Sequence, residues 1–192
     1  MRDYFEQVRS SLDKKLYYLA LMGSLVIPDM CAAIDSNDGK TDCQKYKKCF
    51  KKYYPKKYRV GDFEVDSRIT ANDYYKLRCS VLHEGSSRTE SKGFSTNPPF
   101  NLQNPSVKYS KFIFTGKESN MGENVIGNDK NKESVLNINI YWFCNNLILG
   151  GGEWIRNNEI TNNYKKNYGK FLKSHPLGMD GYIEGIPVFG ND

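Results

Sequence analysis

The stretch Thr70-Ala71-Asn72-Asp73-Tyr74-Tyr75-Lys76-Leu77-Arg78-Cys79-Ser80-Val81-Leu82-His83-Glu84-Gly85 decides how the fold is read. Thr70 with Asp73 three residues on has the form of a capping box, Asp standing where Glu is usual, and it starts a helix. Gly85 is placed to end that helix, because glycine accepts the left-handed conformation that closes many helices. At about 100° per residue, Tyr74, Tyr75, Leu77, Val81 and Leu82 form one apolar arc. Arg78 projects from the middle of it. A guanidinium there needs a buried anion, a ligand or a partner surface. His83 sits about 140° round the same wheel, so on a regular α-helix one copy of the chain does not bring the two groups together.

Upstream, Leu16, Leu19, Leu21, Leu25, Val26, Ile27, Met30 and Ile34 make residues 16–34 apolar on nearly every side, the pattern of a helix packed centrally among others. Gly23, Ser24, Pro28 and Asp29 interrupt it, which reads as a buried helix and not a membrane span. Pro28 removes a backbone donor and is expected to kink or split the helix. Asp29 either has a partner, since an isolated carboxylate in low dielectric is costly, or starts a new helix after the proline. A short amphipathic helix over residues 3–11 precedes this segment, with Tyr4, Phe5 and Val8 on its apolar side.

Thr41-Asp42 caps a third helix, in which Tyr46, Cys49, Phe50 and Tyr53 repeat at three, four and seven. Pro55 ends it. Lys45, Lys47, Lys48, Lys51 and Lys52 occupy the rest of its surface, and Lys56, Lys57 and Arg59 extend a run without one acidic residue. Such a run is a solvated face, or it is a track for nucleic acid in which Lys47, Lys48, Lys51 and Lys52 meet phosphates and tyrosines stack on unpaired bases.

Residues 60–68 read as a connecting loop, and the Ser/Asn/Gly/Pro-rich residues 86–105 as a longer one. Val107 to Thr115 has the β-branched and aromatic content of a strand. After a polar loop over residues 116–133, Leu136, Ile138 and Ile140 alternate with Asn137 and Asn139, the mark of a second strand pairing with the first as a long-looped hairpin. Tyr141 to Asn157 returns to helical period, and its Gly150-Gly151-Gly152 points to a helix break or close helix packing, since no P-loop pattern accompanies it. The tail from Ile160 is expected to lie across the surface, anchored by its apolar residues.

The expected fold class is therefore α+β, predominantly α: a helical bundle with an added two-stranded β-hairpin and a C-terminal helix. At 192 residues one domain spans 1–192, with the bundle core in 1–90 and the loop, hairpin, helix and tail of 91–192 packed on it. An aromatic share of 14% argues for a largely aromatic core and against disorder. The net charge of +6 favours an anionic partner or simply a Lys-rich soluble surface. Cys31, Cys43, Cys49, Cys79 and Cys144 are widely spaced without a Cys-x-x-Cys pair, as for free thiols in a reducing cytoplasm. With His83 and His175 the only histidines, no metal site is expected. Residues 1–6 lack the apolar run of a signal peptide, so neither secretion nor membrane attachment is expected.

Arg78-Cys79-Ser80-Val81-Leu82-His83, an Arg followed after four residues by His near a helix end, resembles the signature of the HEPN superfamily. The likeness covers roughly the first 90 residues: a helix pair through Ala20 to Ile34, a basic helix, then the Arg/His helix. The remainder resembles uncharacterised bacterial proteins with an Arg-Cys-x-Leu-Leu-His-x-Gly stretch, a hairpin and a Phe/Trp helix. The resemblance implies a HEPN-like bundle and a metal-independent endoribonuclease without cofactor, acting as a homodimer through Arg78 and His83. His83 would be general base or acid on the RNA 2′-hydroxyl or the leaving 5′-oxygen, and Arg78 would stabilise the charge on the transition state, leaving a 2′,3′-cyclic phosphate and a 5′-hydroxyl. It also implies an antitoxin-like protein partner.

The family often has Asn, Asp or His directly after the Arg, and this chain has Cys79, a weak hydrogen-bond donor. That departure keeps open a non-catalytic HEPN-like module binding nucleic acid, nucleotide or protein. Two other readings stay open. Arg78 could pair with a core carboxylate such as Asp29 while His83 caps the helix, or Cys79 could be a nucleophile with His83 as its base.

Overall fold

The computed structural model describes residues 1–54, 57–60, 63–66, 69–88, 94–95, 108–116, 123–128 and 133–191, with 57–60, 63–66, 94–95, 108, 123–128 and 133–134 described as backbone. In chain order the elements are α1 (Arg2–Asp13), α2 (Tyr17–Asp35), α3 (Cys43–Tyr53), β1 (Lys57–Val60), β2 (Phe63–Asp66) and α4 (Ala71–Cys79), which runs into a π-helical turn, Ser80–Glu84. Then come β3 (Phe94–Ser95), β4 (Lys108–Tyr109), β5 (Lys111–Thr115), β6 (Glu123–Asn128), β7 (Glu133–Asn139), α5 (Ile140–Asn158) and α6 (Asn162–Asn167). A 3-10 turn, Tyr168–Lys170, leads to β8 (Lys173–His175), β9 (Gly178–Met179), β10 (Ile183–Glu184) and β11 (Val188–Gly190). The protein is α+β and predominantly α.

Helix α2 is the hub, in contact with α1, α3, α4, α5 and α6. It has the length and apolarity of a membrane span, yet Ala20, Leu25, Ile27, Cys31 and Ile34 are buried against these neighbours. It also runs unbroken through Pro28. Burial of this much apolar surface, about 1.5–3 kcal/mol per large side chain, outweighs the one backbone bond that the proline removes.

Around α2 the core is aromatic, as its composition led us to expect. Rings meet in sequence, stacked from Tyr54 to Phe50 (4.8 Å), tilted from Phe50 to Tyr74 (4.3 Å), stacked from Tyr74 to Phe143 (5.0 Å) and edge to face from Phe143 to Phe114 (5.3 Å). This ladder ties α3, α4, α5 and β5 into one body. The capping expected for α3 is present, with Asp42 accepting from the Gln44 and Lys45 N–H groups at 2.8 Å each.

The triple glycine lies inside an unbroken α5, where it serves close packing. A Cβ on Gly150 would fall on the Tyr54 ring, and one on Gly151 would lie 2.6 Å from Ile27 and 2.7 Å from Phe5, whereas Gly152 faces only the tip of Arg156.

The β region differs from the expected two-stranded hairpin. A three-stranded sheet has the order β5-β7-β6. β5 runs parallel to β7, and the antiparallel partner of β7 is β6, whose residues read as part of a loop in sequence. Glu-Asn-Val-Ile-Gly-Asn has little β propensity, but it lies just before β7 on the chain and pairs with it locally. β7 is the central strand and Asn137 and Asn139 are buried in it, not turned to solvent. Asn139 earns its place by capping α5 through the Trp142 N–H (3.1 Å) and donating to the Gly116 carbonyl (3.0 Å).

Three smaller differences follow. The expected strand from Val107 breaks at Ser110, and the expected loop 60–68 contains most of a β1–β2 hairpin. Much of the long loop 86–105 falls outside the described residues. The tail holds α6 and two short strand pairs; Tyr164, Tyr168 and Phe171 anchor its first part against the core as expected, whereas Leu177, Tyr182, Ile186 and Phe189 beyond them are exposed.

The glycine contacts make a graded test. Gly150→Ala and Gly151→Ala each lower stability by about 1–3 kcal/mol through overpacking, while Gly152→Ala is neutral or stabilising by up to about 1 kcal/mol. Urea denaturation of the three variants distinguishes these outcomes.

Candidate functional site

The Arg/His helix starts as its sequence requires. Thr70 Oγ1 accepts from the Asp73 N–H at 3.2 Å and Asp73 Oδ2 accepts from the Thr70 N–H at 3.0 Å, a reciprocal capping box. Gly85 ends it at φ 64°, with its N–H shared between the Ser80 and Val81 carbonyls.

Between these ends the helix widens. Over Ser80–Glu84 the turn is π-helical, so each residue there advances less round the axis than in an α-helix, which narrows the angle between His83 and Arg78 near the end of α4. Arg78 and His83 are five apart. Arg78 Nη1 lies 3.1 Å from His83 Nε2, and the pair that a regular helix would separate meets within one copy of the chain. A guanidinium only donates, so Nε2 accepts and the ring proton sits on Nδ1. His83 is exposed at the surface.

On its other side Arg78 reaches into the core. Its Nε donates to Asp29 Oδ2 of α2 at 2.6 Å, and the two side chains retain 21% and 9% of their exposure. Burial pushes the Asp29 carboxyl above its ordinary value, and the charge and hydrogen bond of Arg78 pull it back part of the way. Burial also works against the Arg78 charge, but Asp29 overcomes it and holds the guanidinium firmly protonated. Of the two readings left open for Asp29, partnership is the one realised. Arg78 pairs with it, while His83 turns to Arg78.

Cys79 Sγ is 3.9 Å from Arg78 Nη1. Since His83 Nε2 is directed at the same guanidinium and not at the thiol, the arrangement does not form a Cys79–His83 nucleophile pair. All five cysteines are free. Among the described residues no group of three His, Cys, Asp or Glu side chains is placed to hold a metal ion.

The four lysines of α3 divide. Lys47 Nζ lies over the Tyr75 ring of α4, 5.5 Å from its centroid. Lys48 and Lys52 line a groove of about 480 Å³ on another flank, together with Lys45, Asp35 and Asp38. There Lys45 pairs with Asp38 at 2.8 Å, and the bonds from Lys45, Ser36 and the Lys40 N–H hold that carboxyl well below the ordinary range. Lys52 lies over the Tyr53 ring at 4.7 Å, and Lys51 is exposed. Of the four, Lys47 is the one placed over a ring of the helix that carries Arg78. Sequence reading missed both the contact of Lys47 with Tyr75 and the π turn.

Comparison with protein-family models, curated proteins and solved structures finds no match to this chain.

Removing one end of the ion pair leaves a charge in a partly buried place. Asp29→Ala therefore lowers stability by about 2–4 kcal/mol, and adding Arg78→Leu restores most of the loss. His83→Ala, at an exposed position, changes stability by less than about 0.5 kcal/mol. Urea denaturation measures all three.

Proposed function

We propose that this chain is a HEPN-like, metal-independent endoribonuclease that acts as a homodimer, with Arg78 and His83 as its catalytic residues. The observation that carries this reading is the 3.1 Å contact between Arg78 Nη1 and the exposed His83 Nε2. A neutral imidazole accepting at Nε2 is a base in waiting, held by a group that prefers phosphate.

When an RNA phosphodiester arrives, the Arg78 amino groups turn to its oxygens and release Nε2. His83 takes the proton of the 2′-hydroxyl, the 2′-oxygen bonds to phosphorus, and the bond from phosphorus to the 5′-oxygen breaks. In the second copy Arg78 has likewise turned to the phosphate, so its His83 takes up a proton from water and gives it to the leaving 5′-oxygen, yielding a 2′,3′-cyclic phosphate and a 5′-hydroxyl; the first His83 then returns its proton to water. Arg78 stabilises the charge that grows on phosphorus, and Asp29, bonded to Nε, is a positioning residue that leaves the amino groups free to do so.

Support for a second copy comes from the surface beside the motif. Leu16, Tyr18 and Leu19 at the start of α2 are exposed, and the Tyr18 hydroxyl lies 3.2 Å from where a Cβ on Gly85 would sit. An apolar face next to the site suits an isologous contact. An antitoxin-like protein partner and a cytoplasmic setting belong to the same proposal.

One observation favours a second reading. Cys79 places a weakly bonding thiol on the guanidinium, where the family often has a polar side chain. The chain is then a non-catalytic module for nucleic acid, nucleotide or protein, with salt-dependent binding through Lys47, Lys48, Lys51 and Lys52.

Labelled single-stranded RNA incubated with the protein in EDTA separates the two. Catalysis predicts cleavage to cyclic-phosphate ends, slowed about 10²–10⁴-fold by His83→Ala and about 10²–10³-fold by Arg78→Ala. RNA retained but never cut, or cut equally by the His83 variant, rejects the catalytic reading.

A further inference from the structure

We infer that Tyr75 and Lys47 form a nucleotide subsite beside Arg78, in which a base of single-stranded RNA stacks on the Tyr75 ring and Lys47 takes the neighbouring phosphate. This rests on the ribonuclease reading for its choice of ligand. Its geometry, however, is independent of whether the bond is cut.

Tyr75 stands one helical turn before Arg78 and Cys79, so its side chain shares their side of α4. The ring is only partly buried. Tyr46 of α3 meets it edge to face at 5.3 Å and fixes its tilt from below. Lys47, the residue after Tyr46, puts its ammonium 5.5 Å above the ring centroid. Running outward from the site, the order is imidazole, guanidinium, aromatic ring, ammonium. That alternation of phosphate-binding and base-binding groups suits successive units of a single strand.

The resting contact between Lys47 and Tyr75 does not block the subsite. A cation over a solvent-accessible ring is held weakly, and base-on-ring stacking is the stronger interaction. An arriving base displaces the ammonium from the ring, and the ammonium then meets the phosphate next to that base. Lys48 and Lys52 are poorer candidates for this role, since they line the groove that also holds Asp35 and Asp38.

The test uses the full-length His83→Ala protein, which leaves RNA intact, and a fluorescein-labelled oligouridine of about ten nucleotides followed by anisotropy. Tyr75→Leu is expected to weaken binding about tenfold or more, and Tyr75→Phe to leave it nearly unchanged. Lys47→Gln is expected to weaken binding and lower the salt slope by about 0.7, with the same charge change at exposed Lys165 of α6 doing neither. Circular dichroism confirms that each variant is folded. Equal binding by Tyr75→Leu, or equal effects of Lys47→Gln and Lys165→Gln, overturns the inference, as does absence of binding. Tyr75-dependent binding without cleavage by the unsubstituted protein sinks the ribonuclease reading and leaves the subsite standing. His83-dependent cleavage whose KM ignores Tyr75→Leu does the reverse.

Discussion

The ion pair between Asp29 and Arg78 sets the arrangement of everything near the site. Asp29 belongs to the helix that all the other α-helices touch, so its carboxylate cannot turn to water without dismantling the bundle. A charge held there needs an opposite charge with good geometry. Arg78 Nε supplies it at 2.6 Å, and in doing so selects which residue of α4 faces α2. The aromatic ladder supplies adhesion, but rings of similar size could slide past one another by a turn. An ion pair cannot slide.

The same guanidinium joins core and surface. Its Nε is held inside by Asp29 while Nη1 meets His83 outside. The widened turn at Ser80–Glu84 helps by reducing the angle that separates His83 from Arg78 round the helix axis. π-helical turns have poorer backbone geometry than α-helix, and one persists here at a helix end where the αL glycine and shared carbonyl bonds already relax the pattern. The imidazole itself is exposed, so it adds little to the burial that holds the fold.

The β region shows why local pattern is a weak guide to strand partners. β7 alternates apolar residues with Asn137 and Asn139, which reads as one wet face. Asn139 is instead drawn inside as the cap of α5, and β6 and β5 cover the two edges of the strand. The lysines of α3 teach the same lesson. A run of one sign looks uniform along the chain, but helical geometry sends Lys47 to Tyr75 and Lys48 and Lys52 to a groove shared with carboxylates.

Sequence by itself determined helices α1 to α5, the caps at Asp42 and Thr70, the end at Gly85 and the aromatic core, and it narrowed the triple glycine to a helix break or close packing. These depend on periodicity and on contacts a few residues apart, both of which are written locally. It also singled out Arg78 and His83 and named Asp29 as one partner for a buried charge. Only the tertiary structure decided that Arg78 takes Asp29, that the strand order is β5-β7-β6, that Lys47 rests on Tyr75, and that Arg78 reaches His83 within one chain. The first three are contacts between segments far apart in sequence. The last turns on the π turn that follows α4, a change of one residue per hydrogen-bonded loop that an α-helical wheel does not contain.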